Sequence, residues 1–268
     1  MDLRSLVWRT DLFFHRFVGE ILSRQEYLVI RTPSNPAFYW GNFLLFFAPP
    51  AAGDVERWRA LFRKEIAADL PVRHEAFGWD APEGGSAVVE PFLRQGFTLS
   101  SQVGLVARHP VVAPHPAEGV RVRALEGDED WQNLLENQQV ELPEGEDPAG
   151  YAAYLVRRMK NYRRMAQEGH GAWFGAFLGK QMVGDLGLFF EGTVGRFQEV
   201  ETHPLFRRRG ICGTLVAEAS RHAREVWGVD TLVLAAERGE PAERLYLALG
   251  FRPTESLETL LQSPAAAR

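Results

Sequence analysis

Three prolines fall within seven positions, Pro110, Pro114 and Pro116, inside the stretch ARHPVVAPHPAEG (107–119). Proline lacks an amide hydrogen and its ring clashes with the preceding helical turn, so no helix runs through this stretch. It reads as a linker centred on 111–118. It divides the chain into a part of about 110 residues (1–110) and one of about 150 (119–268), each the size of a small domain. Whatever fold the chain adopts is built from two halves.

The second half opens on GVRVRAL, where Val120, Val122 and Ala124 alternate with Arg121 and Arg123, a strand pattern. DEDWQNLLENQQVEL follows as a helix with acidic residues in its first turn, and PEGEDP (143–148) as a loop. The spacing of Tyr151, Leu155, Met159 and Tyr162 predicts a second helix, closed by Gly169. AWFGAFL, QMVGDLGLFF and GRFQEVET read as three strands of an antiparallel meander. A long helix starts near Ile211 with a stripe of Ile211, Leu215, Ala219, Ala223 and Trp227. TLVLAAE is a short buried strand, Pro241 opens another helix, Gly250 ends it, and FRPTESLETLL finishes in one or two strands. The fold class expected is mixed α/β (α+β), a central, largely antiparallel sheet flanked by helices.

The first half is less regular. LRSLVWRTDLFFHRFVGEIL predicts a helix, EYLVIRT and FYWGNFLLFF a hairpin, DVERWRALFRKEI a helix, VRHEAFGW a strand and SAVVEPFLRQGF a short helix. This order repeats the back of the second half. FLRQGFT (92–98) aligns without gaps on YLALGFR (246–252), setting Phe92 against Tyr246 and Gly96-Phe97 against Gly250-Phe251. The two halves are therefore expected to be related.

The most informative loop is THPLFRRRGICGTLV, between the third meander strand and the long helix. The first turn of a helix presents amides without intrahelical partners and a partial positive charge, and small residues there let an anion approach the backbone. Arg207, Arg208 and Arg209 precede Gly210, Cys212 and Gly213. Arginines beside such a turn add charge-assisted hydrogen bonds. The glycine spacing is neither that of the Walker loop nor that of the dinucleotide fingerprint. Read alone, the arginines also fit a solvated charge run or a nucleic-acid patch, and Cys212 a nucleophile activated by the helix terminus. The net charge of −5 and pI near 5.9 argue against nucleic acid. A single cysteine excludes an intramolecular disulfide and a cysteine-rich metal site, so no metal is expected. The start MDLRSLVWRTDLFF interleaves charge with apolar residues, and FLLFFAPP is too short to cross a bilayer. A cytoplasmic protein without membrane contact is expected.

Arg207-x-x-Gly210-x-Cys212 resembles the Gln/Arg-x-x-Gly-x-Gly/Ala signature of the GNAT superfamily of acyl-CoA-dependent N-acyltransferases, and AERLYLALGF resembles the family's helix with a tyrosine before Gly-Phe. One helix and one strand separate the two motifs, as in the family. The resemblance covers residues 119–260 and departs at Cys212, where glycine or alanine is usual, and at Gly239, where asparagine is frequent. It implies direct transfer of an acetyl group from acetyl-CoA to a primary amine of a small molecule or peptide, without an acyl-enzyme. It further implies that Val200, Thr202, Arg207, Arg208, Arg209, Gly210, Ile211, Cys212, Gly213 and Thr214 line the cofactor. Tyr246 would serve the departing thiolate, and Glu199 or Glu201 would take the amine's proton. Two residues apart, those glutamates are expected on one strand face. Glu237 is a further carboxylate at the end of the next strand. The alternative is an acyl-CoA-binding module without turnover. The first half carries Phe92 in place of the tyrosine and an acidic residue, Asp54, where the loop would be basic. It is expected to be a degenerate GNAT-like half that binds no CoA.

Overall fold

Residues 108–119, the proline-rich stretch, form neither helix nor strand. The computed structural model describes residues 3–142 and 147–263; most of the predicted PEGEDP loop lies outside the described residues. Within them the chain forms two compact units. The first contains residues 3–104, 147 and 254–263, and the second residues 105–142 and 148–253.

In the first unit, α1 (Leu6–Val18) begins at Ser5, whose hydroxyl accepts the Trp8 amide at 3.1 Å. The helix ends at Gly19, and the EIL that sequence periodicity added to it is instead part of β1 (Glu20–Ser23). A hairpin partner β2 (Tyr27–Arg31), then β3 (Phe43–Phe46), α2 (Asp54–Phe62), a π-helical turn (Arg63–Ala67), β4 (Glu75–Trp79), α3 (Glu90–Leu93) and, as far as Gly104, β5 (Thr98–Ala107) follow. Strands β1, β2 and β3 are antiparallel, and β3 and β4 run parallel through Leu44↔Phe77 to Phe46↔Trp79. The core is aromatic: Trp58 of α2 stacks on Phe46 at 3.7 Å between centroids and packs against Phe77 and Phe92.

The second unit holds β6 (Val120–Ala124), α4 (Asp128–Gln138), α5 (Pro148–Gln167), β7 (Gly171–Leu178), β8 (Gln181–Glu191), β9 (Val194–Thr202), α6 (Ile211–Trp227), β10 (Thr231–Glu237) and α7 (Pro241–Ala248). The order matches that read from hydrophobic spacing. Strands β6 to β9 form an antiparallel meander, and β10 joins β9 in parallel. The α6 stripe buries Ile211, Leu215, Ala219 and Ala223, and Gly228 (φ 70°) closes the helix in the left-handed region.

The last strand, β11 (Arg252–Gln262), is one element rather than two, and from Thr254 onward it groups with the first unit, not with residues 119–253. Two interactions within that unit account for this. Its residues Thr259–Gln262 pair with Gly78–Glu75 of β4. Its buried Glu255 accepts the amides of Leu6 (3.1 Å) and Val7 (2.8 Å), placing a carboxylate at the positive end of α1.

Candidate functional site

The site of interest lies in the second unit, where β9 and β10 start together and then stop pairing. Their parallel register runs from Val194↔Thr231 to Arg196↔Val233, although β9 continues to Thr202 and β10 to Glu237. The free half of β9 carries a bulge. Asp185 of β8 pairs with Glu201 and Gly187 with Gln198, so Glu199 and Val200 stand together opposite Leu186 alone. Glu199 takes φ 46°, a conformation L-residues with long side chains rarely adopt. A bulge leaves backbone groups out of the ladder and re-aims side chains.

This corrects the expectation that Glu199 and Glu201 share a face through simple alternation; each has its own surroundings. Glu199 is ion-paired with Arg158 of α5. Burial works against the Arg158 charge, but Glu199 and the oxygens of Tyr154 and Tyr162 outweigh it and keep the guanidinium protonated. The Tyr154 hydroxyl accepts from Arg158, and the Tyr162 hydroxyl donates to Gln198 Oε1 at 3.3 Å. Glu201 forms no ion pair among the described residues. Burial of its carboxyl, then the nearby Asp185, Glu199 and Glu141, push its pKa up to about 8. As a residue it keeps an exposed surface, so the like charges around it are the most direct physical basis for that direction.

Past Thr202 the chain makes one 3₁₀ turn, Pro204–Phe206, closed by His203, whose Nδ1 accepts the Leu205 amide at 3.2 Å. His203 therefore has a structural role. Arg207 then folds back: its Nε donates to the Thr202 carbonyl (3.2 Å), and its guanidinium forms a bidentate pair with Glu141. Arg209 lies over the Phe206 ring at 5.2 Å, and Arg208, exposed, has φ 63°. Gly210 is the N-cap of α6 at φ 75°. The first main-chain bond of the helix is Thr214 N–H to Gly210 C=O at 3.0 Å, which leaves the amides of Ile211, Cys212 and Gly213 without an intrahelical acceptor. A left-handed N-cap, three amides without an intrahelical acceptor, and Arg208 and Arg209, which form no ion pair among the described residues, make this turn suited to an anion.

The role of Gly210 differs in detail from the sequence reading. A Cβ there would come within 2.3 Å of the His115 carbonyl, so its missing side chain admits the proline-rich segment. The same segment is tied on by the Ala117 amide, which donates to Thr214 Oγ1 at 2.8 Å. Cys212 is enclosed against Thr202; burial pushes its thiol up to about 11, which suits a small spacer and not a nucleophile. Tyr246 of α7 is 6% exposed. Burial, then Cys212, raise its pKa against the opposing effect of Arg196, so its hydroxyl keeps its proton. Gly239 takes φ 81° in the turn before α7, where its amide donates to Glu243 at 2.6 Å. Glu237 is exposed at the end of β10.

Two features escaped sequence reasoning. The first is the pairing of the arginines on α5: Arg158 with Glu199, Arg163 with Asp128 and Arg164 with Glu168. At Glu201 the carboxylates of Asp185, Glu199 and Glu141 outweigh Arg158. The second feature is Asp185, fully buried on β8 and opposite Glu201. Its only signal was an aspartate flanked by apolar and glycine residues in QMVGDLGLFF. Among the described residues no cluster able to hold a metal is formed, and no helix is long and apolar enough to cross a membrane.

Residues 131–251 match the profile of the Acetyltransferase (GNAT) family. No curated protein matches the chain. Among solved structures, the chain is similar to a functionally unknown conserved protein from Staphylococcus epidermidis (TM-score 0.70, 16% identity, covering 92% of this chain and 95% of that one). It is also similar to a GCN5-related N-acetyltransferase from Kribbella flavida (TM-score 0.66, 16% identity, 97% and 96%). A third is a tandem GNAT protein from the clavulanic acid biosynthesis pathway (TM-score 0.53, 16% identity, 82% and 73%). At these identities the structures speak for the fold.

Proposed function

Because residues 131–251 form a GNAT-family acetyltransferase domain, we propose that the protein transfers an acetyl group from acetyl-CoA directly to a primary amine of a small molecule or peptide, and that only its second unit binds CoA. The observation that carries this reading is the parting of β9 from β10 beside a bulged strand, followed at once by the left-handed Gly210 cap of α6. Acetyl-CoA supplies the activated thioester. The chain's own residues bind, orient and move protons.

The amides of Ile211, Cys212 and Gly213, with Arg208 and Arg209, hold the pyrophosphate. Thr214 steadies that turn through Gly210 and Ala117. The thioester then lies along the free half of β9, where the amide of Val200, in the bulge, donates to the acetyl oxygen as negative charge develops on it. The amine arrives among carboxylates, as suits a group that is cationic in water. An amine with pKa near 10 needs about three units of deprotonation at pH 7, or about 4 kcal/mol. Glu201 takes that proton, directly or through water, because Glu199 is committed to Arg158. As nitrogen attacks the carbonyl carbon and the C–S bond breaks, the electron pair leaves on sulfur, and the Tyr246 hydroxyl donates to it. Tyr246 reaches this point from α7 and lies beside Cys212 at the start of α6.

The test is thiol release from acetyl-CoA across a panel of amines, with product mass confirming acetylation. Turnover that collapses in Glu201→Gln and falls in Tyr246→Phe is expected. Tight CoA binding with no turnover on any amine would replace this reading with a binding module.

A further inference from the structure

The proposed chemistry uses Glu201 and leaves unused the one fully buried carboxyl beside it. Asp185 sits in the middle of β8 with none of its surface exposed, in register with Glu201 across the β8–β9 ladder. Directly opposed residues in an antiparallel pair hold their side chains about 5 Å apart on one face. Both carboxylate oxygens of Asp185 are held by neutral donors. Asn137 Nδ2 donates to Oδ2 at 2.5 Å; Gln138 Nε2 and Trp173 Nε1 donate to Oδ1 at 2.8 and 3.1 Å. Asn137 and Gln138 are the last two residues of α4, and Trp173 comes from β7. No ion pair to Asp185 is formed among the described residues.

A buried carboxylate without a cation, facing a second carboxylate, opposes folding. Packing alone does not call for it. The groups facing Glu201 make the same point. Glu199 stands on its own strand, Glu141 follows α4 and is engaged by Arg207, and Arg158 of α5 is paired with Glu199. Asp185 is the member of this set that three donors fix in place.

Resting on the reading of Glu201 as the base, we propose that Asp185 is its positioning residue: the clamp of Asn137, Gln138 and Trp173 fixes a negative charge across the ladder from Glu201, and that charge raises the proton affinity with which Glu201 strips the ammonium. A base whose proton affinity approaches that of its surroundings at neutral pH transfers protons most effectively. Burial pushes the Asp185 pKa up to about 7 against its three donors, with Glu199 adding to the rise.

The experiment combines the kcat/KM–pH profile of wild type, Asp185→Asn and Asp185→Asn/Glu201→Gln with carboxyl ¹³C shifts followed against pH. Activity through Glu201 requires its ionised form, so the wild-type profile rises through the Glu201 midpoint. Asp185→Asn is expected to move that rise, and the Glu201 carbon midpoint, down by about one pH unit. The double variant should lose the rise altogether. A loss of activity at every pH with the midpoint unmoved would assign Asp185 a purely structural part and overturn the proposal. Should Asp185→Asn not fold, the wild-type spectra decide. Two-step, mutually dependent titration of both carbons supports the pair, and independent single-step curves overturn it. Acetyl transfer without this coupling would refute the positioning role alone; coupling without transfer would refute the function it rests on.

Discussion

The two units carry the same strand–helix–strand–helix order and handle its two critical points in opposite ways. Both helices that follow the first strand begin on a left-handed glycine, Gly53 (φ 87°) for α2 and Gly210 (φ 75°) for α6. Both short helices end alike: Phe97 N–H to Phe92 C=O at 3.1 Å, and Phe251 N–H to Tyr246 C=O at 3.0 Å, with Gly96 and Gly250 at positive φ. At the start of α2, however, Asp54 folds its own carboxylate onto the Ala51 amide (2.8 Å) and pairs with Arg57. An acidic side chain therefore stands at the start of α2, where it disfavours a bound anion. The first turn of α6 carries no acidic residue and is preceded by Arg208 and Arg209. In the first unit β3 stays paired with β4 to its last residue, Phe46, and Trp58, Phe77 and Phe92 fill the space beside it. In the second unit β9 runs on past its last pair with β10. The same frame yields an aromatic core where its strands stay paired, and a strand end free of its parallel partner where they part. We propose on this basis that the first unit holds no CoA.

The comparison can be broken in several places. The largest effect expected is on chemistry: Glu201→Gln should lower kcat/KM for the amine about 10²–10⁴-fold at pH 8, as measured by thiol release. Smaller changes at equivalent positions should separate the units. Tyr246→Phe is expected to lower kcat about 10–10²-fold with little change in the KM for acetyl-CoA. Its counterpart Phe92→Tyr should leave kcat untouched and instead cost about 1–3 kcal/mol of stability in denaturant, because a fully enclosed ring would gain an unpaired hydroxyl. Gly210→Ala meets the His115 carbonyl and a left-handed φ at once, whereas Gly53→Ala meets only the φ. The first should raise the KM for acetyl-CoA and destabilise; the second should cost only about 1–2 kcal/mol in the same denaturation assay.

The smallest effect is on the pH dependence of stability. A carboxyl whose folded pKa lies above its unfolded value holds more protons when folded, so its contribution to stability declines as pH rises between the two. For Glu201 that window runs from the ordinary carboxylate range to about 8. Glutamine cannot ionise, so the melting temperature of Glu201→Gln relative to wild type should be higher at pH 9 than at pH 5, by on the order of 1–3 °C. An equal difference at both pH values would remove the carboxylate cluster from the account.

What sequence could and could not reveal follows from the range of each interaction. The meander, the α6 stripe, the helix begun by Pro241 and the Phe92/Tyr246 repeat are local patterns, and all were legible. The loop at Arg207–Gly213 was legible as strand, glycine turn and helix. The bulge at Glu199 was not, because it arises from which residue of β8 each residue of β9 faces, and register is not local. The commitment of Arg158 to Glu199 was not legible either, because it depends on how α5 packs against β9. Asp185 needed three partners from two other elements to become visible. The final strand joined the first unit through Glu255, 248 positions from Val7, and through the β4 pairing, contacts that no local pattern announces.

Calorimetric titration of acetyl-CoA into the intact protein tests the contrast between the two units most directly. The account predicts one site per chain, weakened in Gly210→Ala and unaffected in Gly53→Ala. Two sites per chain, or a single site lost with Gly53 and retained with Gly210, would contradict it.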